Sequence, residues 1–579
     1  MSLTSALNTA KSALVATQAQ TALVSRNIAN VNVEGATRKY ANVVTGSGGR
    51  VEVRSVTQSA NTVLFRNMLD ATSTLQQSTA VQGGLDRINE MVGDIANGQT
   101  PAALIGKLSD ALKAYAASPT SYETARAASS AASDVAKALQ EGTGIVDTIR
   151  QDADDSLVQA ANDMNSLLAK IEDLNKQVVA GTVAGEDITD LSDARDRAVG
   201  ELSKYVGVTV QTRGNNDLLI YTDSGVTLFD KVPRTVSFSG THPITDGAAG
   251  DAFRIDGVPV TGDTALMPIK SGMVAGLVDL RDKVAVTYQS QLDEMARGLV
   301  SAFKESGPAG DQAGLFTSSV ASLAKTSTVL SAGTYAPVAA SSTVSFSLNY
   351  AGAAYAISDT FAPTDNAATA QSKIQAKIDA AVGANKVTVA IDSSTGAITF
   401  TAASVASKPA LGISNVSTTS AGFIAANAPT DNSVIPGFAR TIQVATAVLN
   451  DPTRIRDGVT TTYNTGALAG YTTRLNALRA SMEAGQSFGV GADALRSGSL
   501  TDFASSSVSW LAEQRSKATT ATDYKQTLLD QTKATLSNET GVNLDTESLK
   551  MLDLERSYQA SSKVLTTINE MLKTLMEAI

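Results

Sequence analysis

The chain has 579 residues, enough for several domains and a sizeable core, and its 18% charged residues fall below the ~25% of ordinary domains. A net charge of −10 with no basic cluster argues against nucleic acid and anionic membrane as partners. The absence of cysteine excludes disulfides, thiolate metal sites and cysteine nucleophiles. No run approaches the ~18 apolar residues of a membrane span, and no apolar block follows the isolated Lys11 as in a cleavable signal.

Met1 to Asn32 carries Leu3, Leu7, Ala10, Leu14, Thr17, Thr21, Val24, Ile28 and Val31 at spacings of three and four, without Pro or Gly. That heptad-like stripe predicts a helix about 45 Å long at ~1.5 Å per residue. Between Val33 and Val63, the run GSGGR (Gly46–Arg50) and the alternating Val51, Val53 and Val56 predict a loop and a short hairpin. Helices are expected from Asn61 to about Gly98, from Pro101, over Tyr122–Val179 with an interruption near Gly142–Gly144, and over Asp187–Tyr205.

The character changes between Lys204 and Ile269. Short β-like runs hold Val208, Val210, Leu218, Ile220, Val226 and Leu228, separated by turn signals at Gly214–Asp217 and Asp256-Gly257. Gly272 to Phe303 reads as one clean amphipathic helix. Ser331 to Thr430 is rich in Ala, Ser and Thr, with strands at Thr343–Tyr350, Ala353–Ser358, Lys386–Asp392 and Gly396–Thr401 and a helix at Ala368–Val382. Helical pattern returns at Gly437–Leu449, Gly466–Gly485 and Leu500–Leu536.

The last stretch mirrors the first. Met551, Leu554, Tyr558, Ser561, Leu565, Ile568, Leu572, Leu575 and Ile579 repeat at three and four. A striped helix is stabilised by burial, so the two ends are natural partners for each other. Charge agrees: the first 32 residues carry Lys11 and Arg26 and no acid, whereas the last stretch is rich in acids. Two ordinary core helices would also show such stripes. Ala10, Thr17 and Thr21, however, are too small and polar to hold one isolated pair tightly. The expectation is that the ends are loosely ordered alone and become ordered when many copies pack.

No catalytic, metal or cofactor constellation emerges. His242, the single histidine, lacks a second catalytic partner in the sequence. Phosphate-loop, zinc-protease and nucleophile-elbow motifs are missing. The run DLSDARDR (Asp190–Arg197) reads as i,i+4 pairs such as Asp193–Arg197 on a helix. Ile391–Gly396 reads as a hairpin turn rather than a calcium loop, because the following acids are missing. Trp510 reads as core.

Asn27-Ile28-Ala29-Asn30-Val31-Asn32, followed by Gly35 and Arg38, resembles the Asn-Ile-Ala-Asn-x-Asn-Thr-x-Gly-Tyr-Ser-Arg signature of bacterial flagellar rod, hook and hook-associated proteins. Val33, Ala36 and Thr37 depart from it. Gly541–Asp545 and Tyr558–Ser561 resemble the family's shared carboxyl-terminal motif. The Asp190–Arg197 block and the stretch from Gly272 to Phe316 are similar to the hook-associated members in particular, although a histidine usual in the latter is missing.

The resemblance implies an α+β multidomain chain. Its terminal helices (1–45 with 540–579) would form a coiled-coil-like domain, with 46–204, 271–330 and 431–539 a mainly helical middle domain. Residues 205–270 would be a small β domain and 331–430 an α+β insertion on the outside. The assembly seam would use Leu3, Leu7, Leu14, Val24, Ile28 and Val31 against Met551, Leu554, Tyr558, Leu565, Ile568, Leu572 and Leu575, with Asn27, Asn30, Asn32 and Gly35 as the family motif. It implies a non-enzymatic, self-assembling part at the junction of hook and filament. The implied partners are its own copies, hook protein, a second junction protein or flagellin, and an export chaperone. It also reverses the cytosolic placement that the missing signal suggests, since this family leaves by type III export without cleavage. The alternatives are another flagellar axial subunit, a secreted enzyme with coiled-coil ends, or a cytosolic coiled-coil module.

Overall fold

The computed structural model describes residues 3–92, 98–241, 243–244, 246–307, 310–318, 329–334, 341–350, 353–393, 397–402, 411–418, 434 and 436–577. Its class is α+β, with long helices and small antiparallel sheets. His242 and the last three residues of the Ile391–Gly396 turn lie outside the described residues.

Helix α1 (Leu3–Ala29) leads into a hairpin of β1 (Lys39–Thr45) and β2 (Val51–Gln58) that lies along α1. Then follow α2 (Thr62–Val92), α3 (Pro101–Ala117), α4 (Tyr122–Ala184) and α5 (Thr189–Tyr205). Local chemistry sets their ends: Thr100 caps α3 ahead of Pro101, Ser121 caps α4, and α4 stops at Gly185 in the left-handed conformation. Helix α4 runs unbroken through Gly142 and Gly144, where the sequence suggests an interruption. A Cβ on Gly142 would lie 3.1 Å from Leu292 Cδ1, so this glycine permits a close helix approach. Burial of Leu139, Val146, Ile149, Leu157 and Leu168 outweighs the ~1 kcal/mol that each mid-helix glycine costs.

The small β unit holds two sheets packed on α4. The first orders β3 (Val208–Thr212), β4 (Leu218–Thr222), β5 (Thr227–Asp230) and β6 (Val232–Pro233). The second orders β7 (Val236–Ser237), β8 (Arg254–Ile255) and β9 (Val258–Pro259). Next, α6 (Met273–Asp279) and α7 (Ala285–Ala302) are joined by a π-helical turn, Leu280–Val284, in place of the regular helix expected there. That turn carries Arg281 into the body, 2.5 Å from Asp154 and 2.7 Å from Asp282, with its guanidinium 5.6 Å from the Phe238 ring.

After the hairpin of β10 (Glu305–Gly307) and β11 (Gly310–Gln312), the chain leaves the body at β12 (Phe316–Thr317). An outer module follows: β13 (Val329–Thr334), β14 (Ser342–Tyr350), β15 (Ala353–Phe361), α8 (Ala367–Val382), β16 (Val387–Ile391), β17 (Ala397–Ala402) and β18 (Leu411–Thr418). The chain returns through α9 (Phe438–Thr441) and β19 (Gln443–Val444), and β19 pairs with β12, so exit and entry share one point. With α10 (Thr446–Asn450), these pieces replace the single helix expected over Gly437–Leu449. The physical cause is Asp293 of α7, which accepts the Gly437 and Ala439 N–H groups at 2.9 and 2.7 Å and so starts α9.

The chain closes with α11 (Arg454–Asp457), α12 (Thr473–Glu483), the short pair β20 (Gln486–Ser487) and β21 (Ser497–Gly498), α13 (Leu500–Thr540) and α14 (Leu544–Glu577). A Ser499–Asp502 capping box starts α13. Helix α13 runs antiparallel along α2, tied by Arg515–Asp86 at 2.9 Å and by Lys525 Nζ donating to Ser78 Oγ at 2.6 Å. One apolar core unites α2 to α7, the β unit and the first part of α13, including Trp510, and a separate core fills the outer module. No residue of α1 or α14 belongs to either.

Candidate assembly surface and its root

The two chain ends meet. Helix α14 packs on α1 and, among the described elements, makes its main contacts nowhere else. The pair is antiparallel, because Asn27 near the end of α1 meets Glu547 in the first turn of α14. On α1 the sequence stripe faces the partner: Ala10, Thr17 and Val24 are buried, while Leu3, Leu7, Leu14, Thr21 and Ile28 are half-buried, as is Val31 beyond the helix end. Ala16 and Leu23 are buried beside them. On α14, Leu554 and Ile568 are buried and Met551, Leu565 and Leu572 half-buried. Tyr558 and Leu575, placed on the same stripe by spacing, are 39% and 57% exposed. Small residues on α1 let the backbones approach but leave too little side chain to cover the rim of α14.

A second apolar flank of α14 faces solvent. Leu549, Leu552, Val564, Met571 and Leu575 are each at least half exposed. At ~100° per residue they span about 140° of the helix surface, from Leu575 at the border of the seam to Leu552 on the side away from α1. Isolated exposed apolar residues are ordinary, whereas a row of five along one helix marks a surface built for contact.

A polar collar roots this pair on the body. Asn27, 1% exposed, donates from Nδ2 to Lys39 O at 2.8 Å and to Glu547 Oε2 at 3.0 Å, and accepts the Lys39 N–H at 3.1 Å. It thereby ties α1, β1 and α14 with one amide. Arg38 Nε donates to Glu547 Oε1 at 2.7 Å, satisfying the carboxylate's second oxygen. Lys39 is buried and pairs with Asp190 and, at 3.1 Å, with Asp193 of α5. Thr37 donates its N–H and hydroxyl to the same Asp193 at 3.1 and 2.7 Å. Asp193 therefore faces the arm and does not form the Asp193–Arg197 pair expected on the helix; a buried carboxylate needs several donors, which a single surface arginine does not supply. Arg26 reaches Asp187 at 2.7 Å and Asp190 at 3.2 Å. Burial opposes ionisation of Asp187, but bonds from Thr189 and Arg26 hold its carboxyl below the usual carboxylate range.

Gly35 adopts φ +76°, and a Cβ there would come 2.9 Å from Arg197 Cγ. This explains the motif glycine by backbone conformation and by close approach. Thr37, a departure from the usual serine, keeps the hydroxyl that Asp193 accepts. Asn30 is half-buried and Asn32 exposed, and the collar contacts above do not use their side chains. Sequence reasoning missed Lys39, Glu547 and the outward role of Asp193. The available signal was the excess of bases at Arg26, Arg38 and Lys39 facing acids at 187–193 and 545–547.

Comparison with known proteins adds independent findings. Residues 85–314 match the family model described as flagellar hook-associated protein FlgK helical domain. Residues 537–578 match the carboxyl-terminal model of flagellar basal body rod FlgEFG proteins, and residues 7–37 match the flagella basal body rod protein model. Flagellar hook-associated protein 1 of Salmonella typhimurium and that of Salmonella typhi are each 27% identical over 241 residues, which is 39% of this chain and 42% of theirs. The match thus spans less than half the length of those relatives. The flagellar hook junction protein FlgK from Burkholderia pseudomallei superposes over 80% of this chain and 98% of that one, at 15% identity and a TM-score of 0.44, too loosely to bear on the reading.

Rod-type sequence at both ends, folded as one helix pair on a helical body, makes the chain similar to the flagellar axial proteins as a class. Within that class the helical body carries the more specific likeness: residues 85–314 match the FlgK helical domain, and the chain is similar to flagellar hook-associated protein 1.

Proposed function

We propose that this chain is a non-enzymatic, self-assembling subunit that forms the junction between hook and filament of a bacterial flagellum. The observation that carries the reading is the second apolar flank of α14, from Leu549 to Leu575, left uncovered by α1. In a polymer, neighbouring copies cover that flank, and α1 with α14 packs in coiled-coil fashion as an inner layer. The helical body then forms the tube around it, and the β unit and outer module face outward. The domain division follows: 1–45 with 540–579; 46–204 with 271–330 and 431–539; 205–270; and 331–430. Its neighbours are its own copies, hook protein on one side and a second junction protein or flagellin on the other, with a chaperone before export. Its place is outside the cell, reached by type III export. Among the described residues no helix is long and apolar enough to cross a membrane, which is compatible with that route.

Removal of residues 1–32 or 551–579 tests this. The expected result is a body that still folds and cells that make hooks without filaments. Replacing Leu565 and Leu572 with Asp places charge in the seam and should act the same way. Normal filaments from any of these strains would refute the proposal.

A further inference from the structure

The outer module carries a problem of its own. Its strands form two three-stranded antiparallel sheets, β15–β14–β18 and β13–β17–β16, and β18 lies next to β13. Among the described strands, the outermost of the combined layer are therefore β15 and β16. An open edge presents unpaired N–H and C=O groups that can recruit a strand from another chain. Natural edges are commonly protected by charges within the strand, yet β16 reads VTVAI and has none. Strands β14, β17 and β18 are equally uncharged.

Helix α8 packs against both outer strands. Its Ala370, Ile374 and Ile378 enter the module core together with Val387, Val389 and Ile391 of β16. Two glutamines one turn apart then reach the β16 backbone. Gln375 Nε2 donates to Val387 O at 2.8 Å, and Gln375 Oε1 accepts the Val389 N–H at 2.7 Å. Gln371 Oε1 accepts the Ile391 N–H at 2.9 Å. Asp379 orients the Gln375 amide, accepting from the same Nε2 at 2.9 Å. On the opposite strand, Lys373 Nζ donates to Thr360 O of β15 at 3.2 Å. A side-chain amide has the donor and acceptor of a peptide group, so Gln371 and Gln375 stand where a neighbouring strand's backbone would stand.

We infer that the β16 edge is a strand-acceptor surface for a second copy of this chain, held shut in cis by the Gln371 and Gln375 side-chain amides of α8. Freed of the amides, Val387 O of one copy accepts the Val389 N–H of the other and the reverse, an antiparallel register that sets the two Thr388 residues opposite each other. The strand is short, uncharged and β-branched, and an antiparallel β16–β16 contact is two-fold symmetric and self-complementary. The inference stands on the module alone and does not depend on the flagellar reading.

The whole 579-residue chain tests it, and its lack of cysteine gives a clean probe. Thr388 is exposed on β16, so Thr388→Cys on two paired edges can form a disulfide under mild oxidation. In the otherwise unchanged chain the cross-linked dimer should be scarce. With Gln371→Ala and Gln375→Ala it should rise about tenfold at equal protein concentration. A second variant, Gln375→Glu, keeps an acceptor for Val389 N–H but adds a charge that repels a second copy, and it should leave cross-linking at the background level. Circular dichroism and limited proteolysis of each variant separate edge pairing from unfolding. A folded double-alanine variant that cross-links no more than the parent overturns the inference. So does a Gln375→Glu variant that cross-links as strongly as the double-alanine one.

Discussion

Helices α4 and α14 are both long, but α4 buries 23 of its 63 residues and α14 buries 3 of its 34. The first is held by apolar contact on several sides, from α3, α5, α7 and the β unit. Among the described elements the second makes its main contacts with one helix, and its root on the body is a set of hydrogen bonds and ion pairs. Burial of apolar area dominates folding free energy, so the body is expected to be stable by itself and the arm to draw its lasting stability from further neighbours. The collar meanwhile fixes where the arm points. Polar contacts are directional and individually modest, which suits a joint, whereas close packing suits a strut.

The contrast can be broken most easily in the body. Leu157→Ala in α4, fully buried, should lower the stability of the body by about 2–5 kcal/mol in chemical denaturation. Leu554→Ala in α14 should leave that transition where it is and show only as faster proteolysis of the arm. Equal shifts of the body transition in both variants would show that arm and body are one cooperative unit.

The collar sharpens it. Glu547→Ala leaves the Nδ2 of buried Asn27 and the guanidinium of Arg38 without their shared acceptor, a loss of about 1–3 kcal/mol confined to the arm. Hydrogen exchange in α1 and α14 should quicken, while α4 amides stay protected.

At the root of the outer module, burial pushes the Asp293 carboxyl up to about 7 against the pull of the Ala439 and Gly437 N–H groups, with Asp246 and Glu294 adding to the rise. Folded Asp293 therefore holds its proton more tightly than the unfolded residue, whose carboxyl ionises near ~4. Its contribution to stability is fully present at low pH and is lost as pH rises through about 7. Asp293→Asn should flatten this part of the stability profile between about pH 4 and 7, measured as thermal melting against pH. The smallest effect is expected at Gly35→Ala, about 1 kcal/mol from the left-handed backbone and the contact with Arg197, again confined to the arm.

Much of this division was legible in periodicity. The terminal stripes, the hairpin after α1, the β unit and the helices from α2 to α5 follow from spacing and turn residues, because burial on one face leaves a strong pattern. Three features were not. Gly142 and Gly144 look like a break, but the packing of Gly142 against Leu292 and the burial of flanking Leu139, Val146 and Ile149 override propensity. The π-helical turn at Leu280–Val284 leaves the apolar spacing intact and is set by where Arg281 finds its acids. Helix α9 and strand β19 depend on Asp293, 144 residues before Gly437 in the chain, and no local window contains that information. The β13 and β18 strands were missed for a related reason: Ala-, Ser- and Thr-rich sequence has weak alternation, and sheet pairing defines it.

For the site, the stripes were readable and the collar was not. The motif Asn27 looked like a family mark, and its role as a bridge between Lys39 and Glu547 spans 520 positions. Charges at 187–193 read as a self-contained helical pattern until Lys39 and Thr37 were seen to meet them.

The most direct test is hydrogen–deuterium exchange over residues 544–577, compared between the free chain and its assembled polymer. Exchange should slow strongly along α14 on assembly, around Leu549, Leu552, Val564 and Met571, while α4 amides change little. Equal exchange of α14 in the two states would mean that no neighbour covers the exposed flank, contradicting the central claim.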